Sequence, residues 1–490
     1  MDIIQIGIIL SFLFSIIIGL VVGNKVKNKS LNFTVAGRSL SAGLVAIALV
    51  AQAIDGNATL GNTSLSFDFG FWAGASLIIG LAVSLFLLGK FFAETLNNLK
   101  LITFADLFEI KYNQNIGFIA AIIMLLGFGI LLAGNIATVG ILLKLFFHIK
   151  YETSVIVSTL VVLVYIIRGG IISDIYADIL QMILVFIGIF SALVFLIFSH
   201  GPIDIFASET IISKFSLNQL SSIGDGALIN WATIIALGFG NLIAIDFGSR
   251  IFAAKSGRDA KKSCYLAAFL TLILGLPFSL LIFYAFNLNI KPNSDIPILV
   301  ILAKKALPPF VSALLITGVI NAALSTIDGA LLSMGNILTR NLIRIRPETT
   351  SDNEEIEKTA LYFFRISLIP IACAAMIFAL LLPSPGALLS IAFDMTFSAL
   401  LIPFLFAFSK KYANSQAALY AILVGGVSRI IFATLTPTFF GLSNPFYVQN
   451  SLISPSLDGF GTLLSPILAL ITYVLFIGGR STNKFAVNHE

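Results

Sequence analysis

Charged residues are scarce in this chain of 490 residues. Asp, Glu, Lys and Arg together make up 11% of the sequence, whereas hydrophobic residues make up 58%. So few charges could not cover the surface of water-soluble domains, which excludes a soluble enzyme or binding module. The composition instead predicts an all-α polytopic membrane protein, because lipid requires every backbone polar group to find its partner within the structure.

The residues on which most enzymes and metal proteins depend are also few. The two cysteines, Cys264 and Cys373, lie in or beside apolar runs, and the three histidines form no pair with ligand spacing. No Gly-Lys-Ser or Gly-Lys-Thr phosphate loop occurs, which excludes ATP-driven transport by this chain alone. Since no loop is long enough for a catalytic domain, we expect no enzyme activity and no cofactor.

Thirteen apolar runs are candidates to cross a bilayer, which takes about 20 residues in a helix. The run at 115–147 is long enough to be strongly tilted, and the run at 153–168 is short enough to be partly re-entrant. The thirteen runs lie at 3–23, 40–62, 70–92, 115–147, 153–168, 174–199, 227–252, 263–288, 308–339, 357–382, 386–408, 414–436 and 459–479.

Basic residues are unevenly distributed between the two sets of loops. If the N-terminus lies outside, 22 of the 29 Lys and Arg residues fall on the inner side, and the remaining 7 do not. Cytoplasmic loops carry such an excess, so we predict an outer N-terminus, a cytoplasmic C-terminus and a place in the cell membrane. This distribution also explains the net charge of +5 without any binding of nucleic acid.

The runs divide into two groups of five, which predicts an internal repeat. Residues 40–199 form the first group and residues 227–408 the second, and the odd number of helices turns the second group upside down. We expect an extra helix with its loop at 1–39, an outer linker at 200–226, and two more helices with a short cytoplasmic tail at 409–490.

The first helix of each group is interrupted by glycine and polar residues, at Asp55–Asn57 and at Gly238–Asn241. Interruptions at corresponding places in two halves indicate a binding site near the middle of the membrane. Two plainer interpretations stay open, namely that Asp55 caps the half-helix after it and that the glycines permit close helix packing. The candidate solute-site residues are Asp55, Asn57, Gly240 and Asn241.

Four motifs, taken in order, resemble those of the sodium:solute symporter family. The resemblance extends from about residue 37 to residue 436. It implies the five-plus-five inverted-repeat fold of the leucine-transporter type, with sodium-driven uptake of a small organic solute. The motifs are Gly37-Arg-Ser-Leu40, Gly169-Gly170 followed by Asp178-Ile-Leu-Gln181, Arg250-Ile-Phe-Ala-Ala-Lys-Ser256, and Leu307-Pro-Pro309 leading to Ala322-Ala-Leu-Ser-Thr326.

The resemblance also implies a sodium site between the runs 40–62 and 308–339. Its ligands would be the backbone carbonyls of Ala51, Ile54 and Ala322 and the hydroxyls of Ser325 and Thr326. Sodium is a hard cation that prefers oxygen, and uncharged oxygens keep the site near neutral, so that binding can be reversed. The alternative is that both hydroxyls bond back to carbonyls of their own helix.

Four more carboxylates lie in or near the apolar runs, where a charge costs about 3 kcal/mol even on the most lenient scale. We predict that Asp178 and Asp328 approach each other to bind a second cation or share a proton, with pairing of Asp328 to a lysine or arginine as the alternative. Asp246 precedes Arg250 by four residues, which predicts an ion pair within one helix. Asp394 is a candidate for the outer gate or the solute site.

These observations predict a sodium-coupled symporter that imports a small organic solute by alternating access. We expect the solute, sodium and the lipid bilayer as partners, without an obligate protein partner. Amino acid, sugar, carboxylate and vitamin carriers are all open as the class of solute. The alternatives are a proton-coupled carrier of the same fold, favoured by the intramembrane carboxylates, and a transporter-like membrane sensor.

Overall fold

The computed structural model of the protein describes residues 2–23, 29–204, 206, 208–293, 295–346, 354–381, 385–409, 411–444, 446–450 and 452–478. The C-terminal tail that the sequence places in the cytoplasm lies outside the described residues. The same is true of five basic residues in the orientation argument, which are Lys25, Lys27, Lys410, Arg480 and Lys484.

The N-terminal half of the chain is helical, as the all-α prediction requires. Its long helices are apolar runs whose backbone groups bond within the helix, as lipid demands. One wider helical turn at Asn57–Gly61 leads into α4, and another at Leu88–Phe92 leads into α6. The helices are α1 (Ile3–Gly23), α2 (Ser30–Val35), α3 (Ala42–Ala53), α4 (Asn62–Asp68), α5 (Phe71–Leu87), α6 (Ala93–Asn98), α7 (Phe104–Lys111), α8 (Gln114–Phe147) and α9 (Tyr151–His200).

The C-terminal half has the same character and adds one small hairpin. Its strands, β1 (Thr438–Phe439) and β2 (Leu442–Ser443), pair antiparallel. A tight turn at Asn241–Ile243 follows α12. The helices are α10 (Glu209–Phe215), α11 (Asn218–Ser221), α12 (Ala227–Gly240), α13 (Ile245–Ala253), α14 (Gly257–Leu281), α15 (Phe283–Asn287), α16 (Ile298–Ala306), α17 (Pro309–Ile337), α18 (Glu354–Leu381), α19 (Pro385–Ala407), α20 (Ser415–Leu435) and α21 (Phe460–Phe476).

Two spans are broken. The first bends by 55° between α3 and the helix that begins at Asn57, which confirms the predicted interruption at Asp55–Asn57. The second bends by 46° between the helix that ends at Ile243 and α13. The second bend falls at Ala244, whose φ and ψ are −62° and 117°, rather than at the predicted glycines. Those glycines lie within α12, where regular hydrogen bonding continues.

Fewer helices are long and apolar enough to span a membrane than the sequence predicts. In the described chain, nine helices are long and apolar enough to cross a membrane, or up to 11 if each broken pair counts as one span. The difference arises because α9 counts once and because α21, with 17 residues, is short. The run predicted at 153–168 is the first part of α9, which kinks at Gly170. Thirteen spans therefore remain a prediction.

The helix α17 lies at the centre of the protein. From Ser312 to its end at Ile337 every residue except Leu314 is buried. It packs against α8 and α9, and glycines bring it close to α9, since an added Cβ at Gly318 would lie 3.1 Å from the Leu184 carbonyl oxygen. A second set of helices, α3, α5, α12 and α14, packs together beside it. The break after α3 therefore lies where the two sets of helices meet.

Replacing Gly170 by alanine tests the kink in α9. Gly170 has φ 57° and ψ −160°, a conformation that costs residues with a side chain about 1–3 kcal/mol. An added Cβ would also lie 2.6 Å from the Phe33 ring. We expect Gly170→Ala to lower the thermal midpoint of the purified protein, measured by size-exclusion chromatography after heating.

The matched control for this substitution is Gly43→Ala in α3. Nothing lies within 4 Å of a Cβ added at Gly43, and alanine favours a helix over glycine. Its thermal midpoint should equal or exceed that of the wild type. A Gly170→Ala protein as stable as the wild type would show that the kink does not have the described conformation.

Candidate functional site

The carboxylate of Asp55 organises the break between α3 and α4. One oxygen, Oδ1, accepts a hydrogen bond of 2.6 Å from the Ala58 backbone N–H. The other oxygen, Oδ2, accepts hydrogen bonds from the side-chain amides of Asn57, at 2.8 Å, and of Asn135, at 2.7 Å. Asp55 is buried and caps the half-helix that follows it. The capping interpretation of Asp55 is therefore the one that the contacts favour.

Asn135 of α8 holds the break from the opposite side. Besides donating to Asp55, its carbonyl oxygen accepts a hydrogen bond of 2.8 Å from the Gly56 N–H. The sequence analysis missed Asn135, although a fully buried amide in the middle of a long apolar run is a signal that could have found it. Asn135 thus supplies both a donor and an acceptor to backbone and side-chain groups that the break exposes.

The break fits closely between α8 and α17. A Cβ added at Gly56 would lie 2.8 Å from both Thr138 of α8 and Ala323 of α17. A Cβ added at Gly134 would lie 2.2 Å from the Asn57 side-chain oxygen. That oxygen, Oδ1 of Asn57, is buried and has no hydrogen-bond partner among the described residues. It is therefore a buried acceptor that lies against Gly134 of α8.

The predicted sodium ligands of α3 and α17 lie together. The Ser325 hydroxyl donates to the Ala51 carbonyl at 3.0 Å and to the Ala322 carbonyl at 2.8 Å. The Thr326 hydroxyl donates to the same Ala51 carbonyl at 3.2 Å. Ser325 therefore bonds both back to its own helix and across to α3. Ile54, the remaining predicted ligand, is the residue after α3, and its φ and ψ of −97° and 80° leave the helical region.

A buried amide beside these oxygens strengthens the contact between α3 and α17. The Gln52 side chain donates from Nε2 to the Ser325 backbone carbonyl at 3.0 Å. Gln52, Ser325 and Thr326 are all buried. Four of the predicted oxygens are thus gathered in a water-excluded place whose own atoms carry no formal charge, which suits a cation that must later leave.

A second polar region contains carboxylates and lies among α9, α13 and α17. The Tyr165 hydroxyl contacts both oxygens of Asp328, at 2.5 and 2.7 Å. The Arg250 Nη2 lies 2.5 Å from Asp174 and 3.7 Å from Asp178. A Cβ added at Gly329, the residue after Asp328, would lie 2.4 Å from the same Arg250 Nη2. The structure thus brings the two predicted coupling residues, Asp178 and Asp328, into one region.

The predicted ion pair between Asp246 and Arg250 is wrong. Arg250 lies within 4 Å of Asp174 and Asp178, and the predicted Asp246 is not among its ion-pair partners, because the side chain of Arg250 extends towards α9. Asp246 instead accepts from its own neighbour, the Phe247 N–H, at 2.6 Å. The sequence analysis missed Asp174, which lies one turn before Asp178 on the same helix.

The other candidate solute-site residues have contacts of their own. A Cβ added at Gly240 would lie 2.7 Å from the Phe393 carbonyl oxygen, so this glycine permits close packing of α12 on α19. Asn241 donates to the Leu237 carbonyl of its own helix at 2.8 Å. Asp394 accepts a hydrogen bond from Arg429 of α20, and both side chains are buried. These contacts give the three residues structural partners.

The end of the protein that the sequence assigns to the cytoplasm is closed by hydrogen bonds. Arg38 donates to the carbonyls of Phe252 at 3.1 Å, Lys100 at 2.7 Å and Leu101 at 3.1 Å. The backbone of Leu40 pairs with that of α13, donating to Ala253 at 3.2 Å and accepting from Lys255 at 2.9 Å. The beginning of α3 and the end of α13 are thereby joined.

The short helix α7 adds to this closure. Asp106 of α7 pairs with Arg340 at 2.7 Å and accepts from Asn341 at 2.9 Å, both just after α17. Glu109 pairs with Arg346 at 2.5 Å, and this hydrogen bonding raises the pKa of Arg346.

At the opposite end of the protein a cavity of about 460 Å³ opens beside Phe69, Asp225 and Asp458, among other residues.

The contacts of Asp55 predict that Asp55→Asn destabilises the protein. An asparagine has one acceptor oxygen in place of two, so it cannot accept the hydrogen bonds of the Ala58 N–H and of both the Asn57 and Asn135 amides. A buried donor left unsatisfied costs about 1–3 kcal/mol. We expect a lower thermal midpoint for Asp55→Asn, whereas Asp68→Asn at the exposed end of α4 should match the wild type. An unchanged midpoint in Asp55→Asn would argue against the cap.

The chain is similar in sequence to transporters of known function. The chain is similar to high affinity choline transporter 1 of Homo sapiens, with 22% identity over 446 residues that cover 87% of this chain and 76% of the transporter. It is also similar to the sodium/pantothenate symporter of Haemophilus influenzae, with 24% identity over 420 residues that cover 82% of this chain and 84% of that symporter.

Solved structures and a family model agree with these relatives. A Na+-coupled sialic acid symporter in a substrate-bound outward-open state has a TM-score of 0.76, with 17% identity and 97% of both chains covered. The fold is therefore of the leucine-transporter type, as predicted. The model of the sodium:solute symporter family matches residues 33–425. The chain belongs to the sodium:solute symporter family, and it is a sodium-coupled solute symporter of the membrane rather than an enzyme.

Proposed function

We propose that the coupling sodium binds between α3 and α17, on the carbonyls of Ala51, Ile54 and Ala322 and the hydroxyls of Ser325 and Thr326. The observation that carries this proposal is the convergence of both hydroxyls on the Ala51 carbonyl, at 3.0 and 3.2 Å. A hydroxyl can turn its lone pairs to a cation when the ion replaces these hydrogen bonds. Sodium is then the coupling ion, and we propose no other cofactor.

Sodium at this position would connect the two sets of helices. The carbonyl ligands of α3 belong to the set with α5, α12 and α14, whereas Ser325 and Thr326 belong to α17, which packs on α8 and α9. An ion bound to both sets favours the conformation in which they are close. The shift it produces is limited by the difference between its affinities for the two conformations. Alternating access follows when sodium leaves and the sets move apart.

We propose that the solute binds at the break, where the Oδ1 of Asn57 has no hydrogen-bond partner among the described residues. Asp55 positions this region through its cap, while Gly240 and Asn241 on the second broken helix and Asp394 on α19 are candidates for its walls or outer gate. Choline and pantothenate, which name the relatives, are both small polar organic molecules. We propose a solute of that size, imported from outside the cell.

The orientation of the chain is also a proposal. We place the N-terminus outside and the C-terminus in the cytoplasm of a cell whose plasma or inner membrane holds the protein. The support comes from the closed end, because Arg38, Arg340 and Arg346 lie there and cytoplasmic ends carry an excess of such residues. The two inverted repeats are proposed to extend over 40–199 and 227–408, with the segments 1–39, 200–226 and 409–490 outside them.

We further propose that Asp178 and Asp328, which the sequence predicts to bind a second cation or share a proton, form a second coupling position for a proton, because the cation Arg250 already lies 3.7 Å from Asp178. Neither oxygen of Asp178 has a hydrogen-bond partner among the described residues, although the side chain is fully buried. A buried carboxylate without donors is costly unless a positive charge or a proton accompanies it. Asp328 has one donor, Tyr165, and no lysine or arginine as an ion-pair partner in the described chain.

The sodium site predicts that Ser325→Ala and Thr326→Ala weaken sodium binding. Each substitution removes one ligand oxygen, and we expect the concentration of sodium for half-maximal stabilisation of the purified protein to rise about tenfold or more, which corresponds to about 1.4 kcal/mol. The matched control is Ser312→Ala, a buried serine of the same helix whose hydroxyl has no partner among the described residues. Unchanged sodium dependence in both site variants would exclude the site.

The solute and the coupling ion can be found together. Purified protein is screened by thermal shift against choline, pantothenate, sialic acid and other small organic solutes, with and without sodium. A stabilising compound is then followed into proteoliposomes, where an inward sodium gradient should drive its uptake and N-methylglucamine in place of sodium should abolish it. Uptake driven equally well by a proton gradient without sodium would contradict sodium coupling.

The second coupling position predicts an effect of Asp328→Asn on coupling rather than on folding. Asparagine keeps an acceptor for the Tyr165 hydroxyl, so the fold should persist. We expect a change in the pH dependence of uptake of the stabilising compound. Tyr165→Phe, which leaves the carboxylate in place, is the control for the lost hydrogen bond. If Asp328→Asn left the pH dependence unchanged, the coupling role would be lost.

A further inference from the structure

We propose that the guanidinium of Arg250 is a built-in cation that excludes a second sodium ion, so that the protein binds one sodium. The proposal rests on the sodium site proposed above, and it adds the number of ions to it. It also identifies the positive charge that accompanies Asp178.

Arg250 reaches the carboxylate region from the short helix α13. Its side chain is 0% exposed, which is rare for arginine and requires charged partners. Its Nη2 lies 2.5 Å from Asp174 and 3.7 Å from Asp178, and its Nη1 donates to Ser249 at 3.0 Å. The guanidinium therefore lies where a free cation among these carboxylates would have to bind.

This guanidinium also lies beside the proposed sodium site. A Cβ added at Gly329 would lie 2.4 Å from the Arg250 Nη2 and 2.3 Å from the Gln52 Oε1. Gln52 in turn follows the sodium ligand Ala51 and donates from Nε2 to the Ser325 carbonyl at 3.0 Å. The positive charge of Arg250 is thus one side chain away from the sodium ligands.

Glycine at position 329 makes room for this arrangement. Any side chain there would meet the guanidinium and the Gln52 amide, and it would have to displace one of them. Gly329 follows Asp328 on the buried face of α17, one turn after Ser325. The absence of a side chain at this position is therefore what admits Arg250 to the space between α3, α9 and α17.

Without Arg250, the region has the composition of a cation site. Several buried oxygens have no hydrogen-bond partner in the described part of the chain, namely Oδ1 of Asp174, both oxygens of Asp178, Oε1 of Gln181 and Oε1 of Gln52. Carboxylate and amide oxygens suit hard cations. With Arg250 present, a sodium ion would meet a positive charge in a water-excluded place, where repulsion is strong. One tethered cation therefore replaces one exchangeable ion.

The test counts sodium ions on the purified full-length protein by equilibrium binding of radioactive sodium, without any solute. The wild type should saturate at one sodium per protein. Arg250→Gln removes the charge and shortens the side chain, and its saturation value should rise towards two. Arg250→Lys keeps a tethered charge and should stay at one. Arg340→Gln, which removes another arginine–aspartate contact of 2.7 Å, is the control and should also stay at one.

Two results would overturn the proposal. One is a wild type that saturates at two sodium ions, a count that needs no variant and so does not depend on whether Arg250→Gln folds. The other is an Arg250→Gln protein that is folded, as its elution volume shows, and still saturates at one. Absence of saturable sodium binding in the wild type is a different result, which would overturn the sodium site itself.

Discussion

The backbone groups released at the break between α3 and α4 constrain the structure around them. Hydrocarbon offers them no hydrogen bonds, and a buried group left unpaired costs about 1–3 kcal/mol. Asp55 accepts a hydrogen bond from the N–H of Ala58, and Asn135 of α8 accepts one from the N–H of Gly56. Ser325 of α17 donates a hydrogen bond to the carbonyl of Ala51. Each partner comes from a different element, so the break persists only where α8 and α17 pack closely against it.

The two polar regions of the membrane interior differ in the charges that they contain. Around Ala51 and Ser325 the oxygens are uncharged, so the proposed sodium ion would bring the only net charge and would be released when the ligands separate. Around Asp174 and Asp178 the carboxylates are accompanied by Arg250, which is part of the chain and cannot leave. With the exchangeable charge and the tethered charge in adjacent sites, the binding of the proposed ion would stay reversible.

Much of this arrangement could be predicted from the sequence, because apolar length, interrupted runs and short motifs are local signals. The break at Asp55–Asn57 was accessible in this way, and the resemblance to the family implied that Ser325 and Ala51 lie together. Local signals do not predict which side chains of distant helices contact each other. Arg250 lies four residues from Asp246, yet its side chain extends to Asp174, since the crossing of α13 over α9 decides which carboxylate it meets. Local spacing contains no information about that crossing.

The backbone pairing of Leu40 with Ala253 and Lys255 has a mechanical consequence. These are main-chain bonds, so no substitution except proline removes a donor from them, and they join the segment before α3 to the end of α13. The half-helices α3 and α13 would therefore move together in any opening of this end that is hinged at the two breaks. Such an opening would require breaking the side-chain contacts of Arg38 to Lys100 and Leu101, whereas the main-chain bonds between the two half-helices would stay intact.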